Sequence, residues 1–228
     1  MIPYNKYRYI YPPRAENAVN VETLLDYDNG EYLAQPKLNG DCMEVYTNGV
    51  EVKVFNRHKK EFTKKVKHKD QFIKLHRETI GPGKGKNKWM VLVGEFMDKG
   101  KKNEWNENFN ENFVIFDIIV YDSVQLIGKT FQERVEMLDK MFGKDDIELT
   151  KDGARKHKFL YTTAVDGVFR VKSFRDCLTA LWNDLVKIDM YEGLVLKKCS
   201  SKLENGVAQK NNMSGQVKIR KATKNYNF

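Results

Sequence analysis

The chain has 228 residues, 41% of them apolar, and a formal net charge of +9; this length suits one domain with a real core, and the basic balance favours a polyanionic partner. Three widely separated cysteines (Cys42, Cys177 and Cys199) exclude a disulfide framework and lack metal-ligand spacing. No apolar run reaches membrane length and the N-terminus lacks a signal peptide's apolar region, so the expectation is a soluble intracellular monomer, cytoplasmic or nuclear, cellular or viral.

Residues 1–30 read as a polar, irregular extension packed on the body. Pro12-Pro13 stops any helix there, and Val21–Leu25 reads as a short helical turn. Tyr4, Tyr7, Tyr9 and Tyr11 are expected to pack rather than to stack on bases, since most aromatics simply bury area. The run Glu31–Ala34 leads into Gln35-Pro-Lys37-Leu-Asn39-Gly40. A lone lysine-x-x-glycine is usually a solvated lysine before a turn. It becomes a nucleophile when nearby positive charge or desolvation holds it neutral, because free lysine has a pKa of about 10.4. Gly40 would let the backbone come close to a bound phosphate or base.

Cys42–Phe55 reads as a hairpin with a tight two-residue turn at Asn48-Gly49. Val50, Val52 and Val54 alternate with Glu51 and Lys53, giving one buried and one wet face, and the strand delivers Arg57 just beyond its end. Residues 63–79 suggest a lysine-rich helix and Gly81–Lys86 a flexible loop. Trp89–Glu95 reads as a strand and Asp98–Asn112 as a polar loop. Phe113–Tyr121 is nearly continuous in apolar residues, the most deeply buried strand expected. Thr130–Phe142 is a predicted helix: Thr130 and Glu133 form a capping box, and Phe131, Val135, Leu138 and Phe142 recur at helical spacing. Ser173–Lys187 is a second, with Phe174, Leu178, Leu181 and Leu185 as its stripe. Met190–Lys198 and Gln216–Arg220 read as the last strands, with Lys202–Met213 a polar loop between them. Basic residues cluster at His58–Lys60, Lys64–Lys69, Lys84–Lys88, Lys99–Lys102 and Arg155–Lys158, which suits a phosphate-tracking face. His58, His68, His76 and His157 suggest no metal site and read as surface residues.

In order the chain carries Lys37-Leu-Asn-Gly40, Arg57, Val93-Gly-Glu95-Phe, Phe113-Val-Ile-Phe116-Asp117, Glu192-Gly-Leu-Val-Leu-Lys197 and Lys218-Ile-Arg220-Lys221. The series resembles the ordered motifs of the covalent nucleotidyltransferases: ATP-dependent DNA and RNA ligases and mRNA-capping guanylyltransferases. The Phe131-x-Glu-Arg134-x-x-x-Leu138 pattern is similar to a helix of ligases and capping enzymes. The resemblance runs from about Gln35 to Lys221. It implies an α+β, ATP-grasp-like nucleotidyltransferase domain over residues 1–228, with two packed antiparallel sheets, helices outside and the nucleotide in the groove between. The residues after Arg220 are too few for the OB-fold common in ligases, so none is expected.

The reaction so implied is ATP-dependent polynucleotide ligation with Mg²⁺, or Mn²⁺ in its place, on nicked duplex or RNA ends. Lys37 would take AMP from ATP, pass it to a 5′-phosphate and leave a 3′-hydroxyl to displace it. Charge moves onto phosphate oxygens at each step, so positioned cations and a metal do most of the work. Gln35 stands where ligases often read the adenine amino edge. The resemblance further gives Asn39 and Gly40 to the nucleotide site, Arg57 to the ribose or an incoming phosphate, and Glu95 to the ribose or the metal. Phe116 would stack on the purine, Glu192 would bind Mg²⁺, and Lys197, Lys218 and Arg220 would bind phosphates. Core packing is the alternative for Phe116, ordinary surface charge for Arg57, Lys218 and Arg220, and a structural role for Glu95 and Glu192. Asp117 reads equally as a cap, a structural hydrogen-bond acceptor or a metal ligand. Departures lie at Asn39, usually aspartate, at Cys42, often arginine, and at Arg220, usually lysine. DNA nick sealing is slightly favoured over RNA ligation, with a capping guanylyltransferase and a non-catalytic nucleic-acid-binding module as further alternatives.

Overall fold

Alternating side chains and short apolar runs lay down most of the chain as strands. The structure is a computed structural model describing residues 2–64, 66, 69–80, 88–98, 100–142, 156–207, 211 and 213–222. In chain order the strands are β1 (Ile2–Pro3), β2 (Asn17–Ala18), β3 (Tyr32–Leu38), β4 (Asp41–Thr47), β5 (Val52–Asn56), β6 (Met90–Phe96), β7 (Phe113–Tyr121), β8 (Val124–Gln125), β9 (Leu160–Thr162), β10 (Val168–Val171), β11 (Tyr191–Lys198) and β12 (Gln216–Arg220). The helices are α1 (Leu24–Tyr27), α2 (Lys69–Ile80), α3 (Phe131–Phe142) and α4 (Leu178–Leu185). The larger sheet runs β1-β8-β7-β6-β4-β5, with β10 and β9 branching from β7, and the smaller runs β2-β12-β11-β3. The expected two-sheet α+β architecture is present. Its ladders are antiparallel except for two short parallel pairings, β10 with β7 and β12 with β2. No helix of the described residues is long and apolar enough to cross a membrane.

Strand β7 explains the packing. One edge pairs with β6; the other pairs with β10 over its first half and with β8 at its end. Both of its faces are covered, so it can be apolar on both. One apolar cluster gathers Met43, Val45, Leu92, Ile115, Ile118, Phe72 and Leu138; a second gathers Val114, Leu38, Leu194, Leu196, Leu181 and Leu185. Phe116 packs against both, at the junction where the sheets meet.

Helix α3 begins as its sequence predicts. Glu133 accepts from the Thr130 N–H at 2.7 Å, and the Thr130 hydroxyl accepts from the Glu133 N–H at 3.2 Å, the reciprocal capping box. Its buried face carries a charge as well as Phe131 and Leu138. Arg134 donates to Asp117 through Nε at 2.8 Å and Nη2 at 3.0 Å, with both side chains fully buried. The guanidinium also reaches the Lys129 carbonyl at 2.9 Å. Asp117 is thus a structural acceptor rather than a metal ligand, and its carboxyl is held below the usual range against the opposing pull of burial.

Several expectations need correction. Thr47 pairs with Val52, so residues 48–51 form a four-residue loop. The Asn48 side chain accepts from the N–H groups of Val50 and Glu51 and closes that loop, leaving Val50 outside the alternation and 61% exposed. The second long helix starts at Leu178, not Ser173, because Phe174 exchanges backbone hydrogen bonds with Ala34 at 2.7 and 2.9 Å and stays extended. His76 and His157 are buried, not superficial: His76 bonds the Lys88 carbonyl and His157 the Glu104 carboxylate. The Gly81–Lys86 loop, His68 and much of the Lys64–Lys69 and Lys84–Lys88 clusters, together with Lys99 and Arg155, lie outside the described residues.

The buried pair supports a stability test. Arg134→Ala leaves Asp117 charged in an apolar core and is expected to cost about 3–5 kcal/mol in denaturant unfolding. A loss under about 1 kcal/mol would mean that solvent reaches the carboxylate.

Candidate active site

Period-two alternation puts the chemistry of the smaller sheet on one face. Across β3, β11 and β12, Gln35 lies beside Val195 and Lys218, and Lys37 beside Gly193 and Arg220. A third rung sets Leu33 beside Lys197 and Gln216. Gly193 has φ +146°, and a Cβ there would lie 1.9 Å from the Ile219 carbonyl oxygen. Only glycine lets β12 approach this closely. Immediately before it the ladder slips: Tyr191 faces Leu38 and Gly193 faces Lys37, so Glu192 is the extra residue of a β-bulge. Bulges re-aim side chains, and here the Glu192 carboxylate accepts from the Lys37 ammonium, with Arg220 Nη2 3.9 Å away.

The larger sheet supplies the facing wall. Cys42 and Glu95 are opposite each other on β4 and β6. Glu95 accepts from the Gly40 N–H at 3.1 Å. The space above Gly40 is filled by the Phe96 carbonyl, 2.4 Å from an ideal Cβ, and by Glu95 itself. The glycine's visible role is therefore to admit Glu95, not a ligand. Arg57 and His58 come from the turn after β5, which Asn56 fastens by accepting from the N–H groups of His58 and Lys60.

Two neighbouring cavities result. The first, about 260 Å³, is walled by Gln35, Phe116, Val195, Lys197, Lys218 and the segment Pro12–Glu16. The second, about 290 Å³, is walled by Asn39, Gly40, Asp41, Asn56, His58 and Glu192. Lys37, Cys42, Arg57, Glu95 and Arg220 border both. Every site residue named from the sequence lines one or the other. Lys197 lies in the first cavity rather than among the charged groups of the second. Sequence reasoning passed over Val195 and Gln216, which the alternation of β11 and β12 could have found. It read His58 only as a surface residue of the basic His58–Lys60 cluster, and it passed over the Pro12–Glu16 wall, for which no local pattern gives a signal. That wall is bound in place: Lys218 Nζ donates to the Glu16 carbonyl at 3.0 Å and to that of Ala15 at 3.4 Å.

Among the buried polar atoms with no hydrogen-bond partner among the described residues are Gln35 Oε1 and Lys197 Nζ, both on residues that line the first cavity. Gln35 is 2% exposed and Lys197 3%. The Lys197 ammonium lies 4.9 Å from the centre of the Phe116 ring and 4.6 Å from that of Phe131. Burial lowers its pKa to about 8, Asp117 opposing the shift and Arg134 adding to it. Glu95, 9% exposed, goes the other way: burial raises it to about 7, while Lys37 and the Gly40 N–H hold it down and Glu192 pushes it up. Unpaired buried groups and displaced carboxyls of this kind mark functional clefts.

The Glu95 shift has a sign that stability can read. Its folded pKa of about 7 exceeds the ordinary 4.5, so the cost of ionising it grows from about pH 4.5 to 7 and is complete above that. Glu95→Gln is expected to be more stable than the parent at pH 8, by up to about 3 kcal/mol, and equal to it near pH 4. Equal melting temperatures at pH 8 would mean that the carboxylate is well solvated.

The family model described as the ATP dependent DNA ligase domain matches residues 12–214. Among solved structures the chain is similar to a mycobacterial DNA ligase D complexed with ATP and MES, at 14% identity and a TM-score of 0.61, over 94% of this chain and 61% of that one. It is similar to the ligase domain of LigD from M. tuberculosis at 15% identity and a TM-score of 0.57, over 92% and 59%. It is also similar to the ATP-dependent DNA ligase of bacteriophage T7 in complex with ATP, at 14% identity and a TM-score of 0.51, over 92% and 68%. No curated protein matches the sequence. The chain spans about three fifths of the two mycobacterial structures, and at these identities the likeness is one of fold. The family match covers most of the chain, from the Pro12–Glu16 wall through β11: this chain belongs to the ATP-dependent DNA ligase domain family.

Proposed function

We propose that this domain activates ATP on Lys37 and uses the AMP to seal nicks in duplex DNA. The observation that carries the reading is the pair of unpartnered atoms, Gln35 Oε1 and Lys197 Nζ, in the cavity that Lys37 borders. Adenine presents a donor, its amino group, beside an acceptor, N1. An acceptor and a donor on neighbouring rungs of β3 and β11 offer the complement of that edge, and guanine presents the reverse. Unpaired buried polar groups are costly, so a ligand that satisfies both binds with added affinity. Phe116 and Val195 would then flank the base, and Lys37, Arg57 and Arg220 would meet the phosphates.

In the first step Lys37 Nζ, having lost a proton, forms a bond to the α-phosphorus. The bond from that phosphorus to the bridging oxygen breaks, and pyrophosphate leaves with the electron pair. Next an oxygen of the 5′-phosphate attacks the AMP phosphorus, and the N–P bond breaks to return the lysine. Finally the 3′-hydroxyl attacks the activated phosphate and AMP leaves. Glu192 holds the Lys37 ammonium in the resting site, and release of that partner belongs to activation of the amine. Arg57 and His58 stand at the mouth with exposed Lys59 and Lys60 beside them, an electrostatic grip for a phosphate backbone.

The donor set suits Mg²⁺. No group of three or more metal-ligating side chains exists among the described residues, so Glu192 and Glu95 would offer one or two carboxylates and leave the remaining positions to phosphate and water, as Mg²⁺ prefers. Mn²⁺ fits the same oxygens. The ion would neutralise charge developing on the phosphate oxygens. The choice of DNA over RNA rests on the family match, while Asn39 and Cys42 in place of the usual residues favour RNA ligation as the second reading.

Matched DNA and RNA nicks, incubated with ATP and Mg²⁺, test the proposal. The DNA nick is expected to seal faster, and Glu192→Ala to seal about 100-fold slower or worse while melting like the parent. Faster RNA sealing would favour the second reading. Near-normal sealing by the folded variant would make Glu192 dispensable.

A further inference from the structure

The polarity of the Gln35 amide is fixed by its surroundings. Its Nε2 donates to the Phe116 carbonyl at 3.3 Å and to the Ser173 hydroxyl at 3.1 Å. The Phe116 carbonyl can only accept, so it excludes the flipped amide, in which two acceptor oxygens would face each other. Oε1 is thereby the amide atom left over, on a residue that lines the cavity, and it has no hydrogen-bond partner among the described residues. The carbonyl sets polarity but holds the amide by one long bond. Ser173 supplies the second and shorter bond, and it is itself held. Phe174, the next residue, is bridged to Ala34, the residue before Gln35, by both backbone hydrogen bonds. The serine hydroxyl therefore sits at a fixed offset from the amide that it grips. Gln35 belongs to the smaller sheet and Phe116 to the larger, so this pair of bonds also spans the junction of the two sheets at the cavity wall.

We propose that Ser173 is a positioning residue for base selection: with the Phe116 carbonyl it clamps Gln35 so that only an acceptor faces the purine edge. The inference rests on the reading of the first cavity as the site of the ATP base. Without the hydroxyl the amide keeps one 3.3 Å bond and can swing, so the site loses both affinity for an amino edge and discrimination against an oxo edge. Chemistry at Lys37, which lies on the next rung, keeps its groups.

The experiment measures self-nucleotidylation with ATP and with ITP, whose six-position carries an oxygen, for the parent, Ser173→Ala, Ser173→Thr and Ser173→Cys. The parent is expected to prefer ATP. Ser173→Ala is expected to raise KM for ATP with little change in kcat and to narrow the ATP-to-ITP preference by about 2- to 10-fold, the worth of one hydrogen bond. Ser173→Thr keeps a hydroxyl and should retain the preference. Ser173→Cys keeps the size with a weaker partner and should fall between, and it carries the test should the alanine variant not fold. A parent that forms no adduct with either nucleotide defeats the underlying reading. A parent that prefers ATP, with Ala or Cys variants whose ratio is unchanged or whose loss is confined to melting temperature, overturns the role of Ser173 alone.

Discussion

Between Tyr191 and Gly193 strand β11 advances two residues while β3 advances one, and the surplus residue is Glu192. That local count places an acid against Lys37, on a face that strict alternation would have denied it. The glycine that follows is as necessary. With its Cβ position 1.9 Å from the Ile219 carbonyl, any other residue would push β12 away and carry Lys218 and Arg220 with it. Lys37, the acid beside it and the basic strand thus depend on one irregularity in a four-stranded sheet.

The junction of the sheets supplies the remaining constraint. Asp117 and Arg134 neutralise each other in the core, and just beyond them Lys197 lies between the Phe116 and Phe131 rings with its ammonium unpartnered among the described residues. A lysine pushed down to about 8 and a glutamate pushed up to about 7 in one cleft are each unfavourable for folding. Their persistence fits sites where local stability is lower than the fold could achieve, because the groups are arranged for a ligand.

Much of this is readable from residue order, and the rest is not for definable reasons. Apolar continuity marks β7, because its residues pack into both apolar clusters, Ile115 and Ile118 into one and Val114 into the other. The capping box of α3 needs only four residues in a row, and it appears as written. The acid–glycine pair at Glu192-Gly193 announces a special position, but the bulge that makes it special is a relation between two strands. The wall formed by Pro12–Glu16 is equally non-local: its partner, Lys218, lies near the other end of the chain. The resemblance gives Lys197 to the phosphates; what residue order does not show is its register beside Leu33 and Gln216, which brings its ammonium to the Phe116 ring in the wall of the first cavity. The late start of α4 follows from the Phe174–Ala34 bridge, which overrides a helical stripe. The short strands β9 and β10 offer too few residues for a period to register.

The proposed chemistry depends on Lys37 as the covalent carrier of AMP. Incubating the protein with ATP and Mg²⁺, then mapping the modified peptide by mass spectrometry, tests this most directly. One AMP per chain is expected, on Lys37, lost in acid as a phosphoramidate is, and absent from both Lys37→Ala and Lys37→Arg, whose guanidinium cannot shed its proton to attack. An adduct on another residue, or adenylylation that survives loss of Lys37, would contradict it.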